Sequence, residues 1–122
     1  QEAICPVARD AAMYILSPRR VVDALIRAFE LPADAFGMTR MLTLPGITVS
    51  IGEMVDALEK VAGKRVAARV KWQPDPTIQK IVAGWPTAFD ARRARGMGFE
   101  GDSDFASIIR AHVEDELGGR IG

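Results

Sequence analysis

Apolar residues recur at helical spacing in four segments of the chain, and a capping residue stands before each of them. The caps are Ser17 with Pro18 at the first helical position, Ser50 with Glu53 as an S-x-x-E capping box, Asp75 with Pro76, and Ser103. The residues predicted to face inward are Val21, Val22, Leu25, Ala28 and Phe29 in the first helix, Met54, Val55, Leu58, Val61 and Ala62 in the second, Ile78, Ile81, Val82 and Trp85 in the third, and Phe105, Ile108, Ile109, Val113 and Leu117 in the last. Gly63 is placed to end the second helix and Pro86 to end the third.

Shorter apolar or alternating runs predict strands between these helices. They are AICPV at 3–7, AMYILS at 12–17, RMLTLP at 40–45, ITVS at 47–50 and RVAARVKW at 65–72. A fifth, short helix is predicted in ARRARGM at 91–97, with Asp90 as its cap and Phe89 as a hydrophobic staple. The pattern therefore predicts one α+β domain over residues 1–122, with about five helices, a few short strands and no regular βαβ alternation.

Composition is that of an ordinary globular domain and excludes several functional classes. Of the 122 residues, 48% are hydrophobic and 26% are charged, and the sixteen basic and sixteen acidic residues cancel. A nucleic-acid surface, for which only the arginines of ARRAR and RVAARVK offer themselves, is disfavoured because it normally needs a net positive charge. No apolar run is long enough to span a membrane, and the first residues do not resemble a secretory signal. The single cysteine, Cys5, indicates a reducing compartment, so we expect a cytoplasmic protein.

The run GMGFEG at residues 96–101 has the G-x-G-x-x-G spacing of dinucleotide-binding turns, but its context is wrong. Such a turn follows a buried strand and opens a long helix, whereas FDARRAR before Gly96 is a charged, helical segment. A different interpretation fits better: Gly98 is the left-handed residue that ends a short helix, and Phe99 packs back onto that helix. We therefore expect no cofactor to bind through these glycines.

Arg19 and Arg20 are the strongest candidates for binding a ligand. They lie in the first turn of a helix, where the helix dipole disfavours positive side chains and the free backbone N–H groups favour an anion. Together these groups could receive a carboxylate or a phosphate. The alternative is that both arginines point outward and pair with acidic surface residues.

Other residues that could carry chemistry have simpler explanations. Trp85 completes an apolar helical stripe, so core packing is favoured over a role as a pocket wall. His112 lies at the edge of the last helix without an identifiable partner, and Cys5 lies in an apolar strand as an inert thiol. The acidic cluster Glu114–Glu116 is typical of a solvated face. One histidine and one cysteine provide no metal-ligand spacing, so we expect no metal site.

Long stretches of the chain resemble the C-terminal part of extended short-chain dehydrogenases/reductases, the NAD-dependent epimerase/dehydratase family. The resemblance runs from about Pro6 to Asp115 and is most similar to the D-erythronate dehydrogenase branch of that family. It rests on SPRRVVDALIRAFEL, on LPGITVSIGEMVDALEKVAG, and on the stretch from WPTAFD through RARGMGFEG to the last helix. The order and spacing of these pieces are more specific than any one of them.

The resemblance implies the C-terminal substrate-binding domain of a Rossmann-type enzyme, without its N-terminal NAD-binding domain. The family's Tyr-x-x-x-Lys pair is missing, because Tyr14 is the only tyrosine and Pro18 stands where the lysine would be. We therefore expect no catalytic residue and no cofactor on this chain, although NAD or NADP is expected for the parent enzyme. The resemblance places substrate contacts at Ser17 and Arg19, with Trp85 as a possible pocket wall, and a sugar acid would bring a carboxylate to Arg19.

Two functions follow from these features. The first is the substrate-binding fragment of an NAD(P)-dependent oxidoreductase or epimerase that acts on a sugar or sugar acid. Its partners would be the substrate, its own Rossmann domain and, as a homo-oligomer, further copies of itself, but neither nucleic acid nor membrane. The chain opens on Gln1 rather than methionine, which fits a fragment. The alternative is a free-standing protein-interaction or ligand-binding module without catalysis.

Overall fold

The four strands that the computed structural model contains within residues 1–121, the part of the chain that it describes, form two separate sheets. Strand β1 (Ala3–Cys5) pairs in parallel with β4 (Val70–Trp72), and β2 (Ala12–Ile15) pairs antiparallel with β3 (Ile47–Ser50). Around them lie α1 (Pro18–Glu30), a 3₁₀ helix (Ala33–Phe36), α2 (Ile51–Ala62), α3 (Lys64–Ala67), α4 (Pro76–Ala83), α5 (Arg92–Gly96) and α6 (Phe105–Glu116). The predicted α+β class is confirmed, with six α-helices in residues 1–121 where about five were predicted.

The longer helices begin where the local capping signals place them. The Ser50 side chain accepts the Glu53 N–H and the Glu53 carboxylate accepts the Ser50 N–H, which completes the predicted capping box of α2. Asp75 accepts the N–H groups of the first turn of α4. The predicted cap of α6 is wrong by one residue, because the N-cap is Asp104 rather than Ser103. The Asp104 carboxylate accepts the N–H of Ser107 in the first turn of the helix.

The core lies where α1 crosses the end of α5. Ala24, Ala94 and Phe99 are buried together, and the apolar residues packed around them are Ala28, Leu31, Leu42, Leu44 and Met97. Gly98 has a φ of 87°, its N–H donates to Arg95 O, and the N–H of Phe99 donates to Ala94 O at 3.1 Å. This pair of bonds is a Schellman motif, so the predicted helix end at Gly98 with Phe99 packing back is confirmed.

Of the predicted strands, one is shortened and one is absent within the described residues. In RVAARVKW only Val70–Trp72 is extended, because Gly63 closes α2 with a φ of 90° and its carbonyl then accepts the N–H of Val66, which starts α3. RMLTLP pairs with no strand of residues 1–121. Two of its backbone carbonyls are instead satisfied by side chains, since Arg93 donates to Met41 O and Tyr14 donates to Leu44 O.

The residues predicted to face inward are buried in some helices and exposed in others. In α2 all five are at least half-buried, whereas four of the five in α1 are exposed: Val21, Val22, Leu25 and Phe29. In α4 only Val82 is buried, and in α6 Leu117 is exposed because the helix has ended at Glu116. The predicted cap of α5 is also shifted, since its N-cap is Ala91, although the Asp90 carboxylate still accepts the Arg92 N–H.

Candidate functional site at the start of helix α1

Ser17 fixes the start of α1 against the loop before α6. Its side chain and its N–H both donate to the Asp102 carboxylate, at 2.7 and 2.8 Å, and its hydroxyl oxygen accepts the N–H of Arg20. Ser17 is only 1% exposed, and these bonds satisfy its polar groups. Asp102 therefore fixes the position of the first turn of α1, which any ligand bound there would contact. Direct contact between Ser17 and a substrate stays a prediction.

Arg19 and Arg20 project from this turn and both pair with acidic side chains. The Arg19 guanidinium donates through Nε and Nη2 to Asp115, at 2.9 and 2.8 Å, and through Nη2 to Glu114. Arg20 lies 3.2 Å from a carboxylate oxygen of Glu100. These ion pairs agree with the alternative interpretation, in which both arginines pair with acidic surface residues. The role of Arg19 in ligand binding stays a prediction.

The ion pair between Arg19 and Asp115 shifts the pKa of both groups. The hydrogen bonds from the Arg19 guanidinium hold the pKa of Asp115 below its ordinary value, and the same bonds raise the pKa of Arg19. Asp115 therefore stays ionised down to a lower pH than an unpaired aspartate would. An incoming carboxylate would have to compete with Asp115 and Glu114 for the guanidinium, or use the N–H groups of Arg19 that they leave free.

A groove of about 300 Å³ opens beside these residues, between the starts of α1 and α6 and the end of α5. Its polar lining comes from Arg19, Arg20, Arg95, Asp102, Ser103 and Ser107. Arg95 has no acidic partner among residues 1–121. The groove thus offers a guanidinium for a carboxylate and hydroxyls for the polar groups of a sugar acid.

Arg95 was missed as a site residue by sequence reasoning. The basic run ARRAR was weighed only as a nucleic-acid surface, and its members have separate roles in the structure. Arg92 pairs with Asp90, Arg93 donates to the carbonyls of Met41 and Thr39, and Arg95 alone faces the groove. Helical spacing could have suggested this division, because neighbouring residues point in different directions on a helix.

The remaining candidate residues lie apart from this groove. Trp85 follows the end of α4, is 54% exposed, and is not among the described residues that line the groove. The prediction that Trp85 packs into the core is therefore wrong, because the side chain lies beyond the end of α4 and is mostly exposed, and its role as a pocket wall stays a prediction. His112 is exposed on α6 and borders an apolar depression with Leu58 and Ile108, which adjoins the groove because Arg19 lines both.

A second cavity, of about 370 Å³, lies between the loop after β1 and helix α4. Its polar lining includes Asp10, Gln79 and Thr87, and the Gln79 side chain accepts the N–H of Ala8. Sequence reasoning gave no sign of it, because the loop and α4 are far apart along the chain. It offers amide and hydroxyl groups but no guanidinium.

The glycine run does not fit a dinucleotide. Gly98 and Phe99 use their N–H groups inside the helix end, and a Cβ at Gly101 would clash with the carbonyl oxygen of Pro45. These glycines therefore serve close packing rather than an open phosphate cradle. In the described part of the chain no group of three or more acidic, histidine or cysteine side chains could hold a metal ion. Within the same residues, none of the helices has the length and apolar character to cross a membrane.

The chain is similar to two bacterial D-erythronate dehydrogenases. It is 42% identical to the enzyme from Cupriavidus necator over 113 residues, or 93% of this chain, and 32% identical to that from Haemophilus influenzae over 96% of it. It spans only 35–37% of the length of these curated relatives. No protein-family model matches the chain.

Among solved structures, a nucleoside-diphosphate-sugar epimerase from Agrobacterium tumefaciens matches all of this chain with a TM-score of 0.95 and 38% identity. This chain covers 36% of that protein. A GalE-like L-threonine dehydrogenase from Cupriavidus necator matches 94% of the chain with a TM-score of 0.76, and at 20% identity it supports the fold alone. Together these matches confirm the resemblance of the chain to the C-terminal part of the extended short-chain dehydrogenases/reductases, in the NAD-dependent epimerase/dehydratase family.

Proposed function

We propose that the chain is the substrate-binding part of an NAD(P)-dependent oxidoreductase or epimerase that acts on a sugar or a sugar acid such as D-erythronate. The observation that carries this proposal is its 42% identity to a D-erythronate dehydrogenase over 93% of its own length. The chain spans about a third of such relatives and lacks a Tyr-x-x-x-Lys pair, so we assign the catalytic step to the rest of the protein.

The parent protein would add an N-terminal Rossmann domain of roughly 200 residues, within the usual size of a domain. That domain would bind NAD or NADP and supply the hydride-transfer chemistry and the general base. The present chain would bind and orient the substrate. It carries the parent enzyme's specificity for the substrate rather than its reaction, and we place that enzyme in the cytoplasm.

Within the chain, the groove at the start of α1 is the proposed substrate site. A sugar acid presents one carboxylate and several hydroxyls, and the groove presents Arg19 and Arg95 beside Ser103. A guanidinium can hold a carboxylate through two parallel hydrogen bonds, which fixes its orientation as well as its position. Ser17 keeps this turn in place through Asp102. Trp85, away from the groove, would act at most as a wall for a larger substrate.

The first test is to express the complete reading frame and to follow NADH formation with D-erythronate. Replacing Arg19 with Gln should raise KM for the sugar acid by about tenfold or more, the usual effect of losing one charge-assisted hydrogen bond. Arg40→Gln is the matched control, because Arg40 is also an exposed arginine but lies outside the groove. A reading frame without an N-terminal domain, or equal effects of the two variants, would contradict the proposal.

A second test uses the 122-residue chain itself. Titration with D-erythronate, followed by amide NMR, should shift the signals of residues 17, 19, 20, 95 and 102–107. Shifts confined to residues 7–12, 79–85 and 87 would move the site to the second cavity. No shift in either region at millimolar ligand would contradict substrate binding by this chain.

A further inference from the structure

Helix α1 carries an apolar surface that nothing in the described chain covers. We call it the outer face and define it as Val22, Leu25, Ile26 and Phe29, which are 53, 67, 53 and 90% exposed. Successive residues turn by about 100°, so the four side chains share one arc of about 100°. Ala24 and Leu31, which pack into the core, lie on the opposite side of the helix.

The helix is therefore apolar on two sides but buried on only one. A surface helix normally has one apolar side and one polar side, and a helix that is apolar on both is normally buried on both. The inner side of α1 is made of small residues, Ala24 and Ala28, which let the helix lie close to Phe99. The large residues, by contrast, are on the outside, where they gain nothing from the fold of this chain.

The polar residues of α1 do not shield this face. Arg19 and Arg20 bind acidic side chains near the start of the helix, and Arg27 donates to the carbonyl oxygen of Met97 at 2.8 Å. Their long side chains are thereby held against the chain itself. A continuous apolar patch that remains after such pairing marks an interaction surface.

The size of the outer face indicates what kind of partner covers it. α1 has 13 residues and is about 20 Å long, and its four exposed side chains together offer on the order of a few hundred Å². A stable dimer needs about 800 Å² from each partner, so this face alone is too small to hold a second copy. A domain on the same polypeptide has an effective concentration in the millimolar range and can use a much smaller surface.

We propose that the outer face of α1 is the docking surface for the N-terminal part of the longer protein. This rests on the proposed function, because the part that would dock is the Rossmann domain assigned there. The lengths of the relatives support it: the epimerase that matches this chain throughout has almost two thirds of its residues outside the match. That remainder needs a surface on which to dock, and the outer face is the apolar surface of a long helix that is free to receive it.

The test measures how fast a thiol on the outer face reacts with a maleimide. Phe29→Cys is compared with Met38→Cys, because Met38 is also almost fully exposed but lies outside α1. Both variants are made in a Cys5→Ala background. In the 122-residue chain the two thiols should react at the same rate. In the protein from the complete reading frame, Phe29→Cys should react slower by about tenfold or more, because labelling then waits for the interface to open. Leu25→Cys provides a second probe of the same face, and circular dichroism verifies folding.

Three results would overturn the inference. One is equal reactivity of the Phe29→Cys thiol in the short chain and the complete protein, and another is equal protection of both thiols, which would signify general burial. The third is protection in the 122-residue chain that grows with its concentration, which would assign the face to a second copy. NADH formation with D-erythronate separates this inference from the proposed function. An active complete protein with a reactive thiol refutes only the docking surface, and an inactive one with a protected thiol refutes only the activity.

Discussion

Helices α1 and α2 carry the same signal in the sequence, yet the structure buries the apolar stripe of only one of them. In α2, Leu58 and Val61 are half-buried, and the helix packs against α6. In α1, Leu25 and Phe29 occupy equivalent places in an equally regular stripe and are exposed. Both helices begin at a serine cap and have similar lengths, so local signals do not explain the difference.

The difference teaches what hydrophobic periodicity measures. A stripe at helical spacing states that one side of a helix is apolar, but it does not state which part of the protein covers that side. The apolar side of α2 packs against other residues of this chain. In α1 the large apolar residues stay exposed, and the small residues Ala24 and Ala28 contact the core instead. Where a sequence predicts burial and the chain leaves a face open, the missing contact points to another part of the protein.

The largest expected effect compares two phenylalanines on either side of α1. Phe99 is 4% exposed and packs on the inner side, so Phe99→Ala should lower the free energy of unfolding by about 3–5 kcal/mol. Phe29→Ala, on the outer face, should change it by less than about 0.5 kcal/mol in the 122-residue chain. Urea denaturation followed by circular dichroism measures both. A loss above about 2 kcal/mol for Phe29→Ala would mean that the outer face is already covered in this chain.

Local signals in the sequence predicted the helices well and the long-range contacts poorly. The start of α2 was predictable because Ser50 and Glu53 satisfy each other within one turn. The helix end at Gly98 was predictable for the same reason. Strands form in four of the five predicted segments. RMLTLP finds no pairing partner in residues 1–121, because a partner must come from elsewhere in the chain, and in RVAARVKW a short helix after Gly63 replaces the first part of the strand.

The candidate site shows the same limit. Arg19 could be singled out because a cation in the first turn of a helix opposes the dipole. The bonds that define its surroundings could not be predicted, because Ser17 meets Asp102 from 85 positions away and Arg19 meets Asp115 from 96. Nothing in the local pattern of either segment specifies that partner. The resemblance to a family supplied what periodicity could not, since it carried the arrangement of a whole fold.

The second prediction compares the two serine caps. Ser17→Ala should lower the free energy of unfolding by about 2 kcal/mol, because it removes a cap and leaves part of the Asp102 carboxylate without its donor. Ser50→Ala removes only a cap, whose hydroxyl has no carboxylate partner like Asp102, and should lower it by about 1 kcal/mol. Thermal and urea denaturation of the two variants give the comparison. Equal losses would mean that Asp102 adds nothing to the start of α1.

The third prediction concerns the turn on which the inner side of α1 rests. Gly98 has a φ of 87° and lies against Arg27, so Gly98→Ala should lower the free energy of unfolding by about 1–2 kcal/mol. Gly96 ends α5 in open space, so Gly96→Ala should be neutral or raise it by up to about 1 kcal/mol. The same denaturation experiment measures both variants. Changes of opposite sign in the free energy of unfolding would support the left-handed helix end at Gly98. Changes of the same sign and size in both variants would contradict it.

The smallest effect is electrostatic and links the start of α1 to α6, the helix that covers α2. Hydrogen bonds from Arg19 lower the pKa of Asp115, so Arg19→Gln should raise that pKa towards the ordinary value for an aspartate, about 3.9. Asp90 is an internal control, because Arg92 lowers its pKa to about 2 and this pair is independent of Arg19. Titration of the side-chain carboxyl carbons by NMR gives both values in one sample.

The sign of the linked stability follows from the direction of that shift. Because the pKa of Asp115 is lower in the folded chain than in the unfolded one, its stabilising contribution is complete above the unfolded pKa and is lost as the pH falls through the folded one. Asp115→Asn should therefore lower the melting temperature slightly at pH 7 and not at all at a pH below the folded pKa. If the difference instead persisted in acid, Asp115 would hold α1 to α6 through contacts other than its charge. The start of α1 would then belong to the packed part of the molecule, like α2, and only its outer face would remain open.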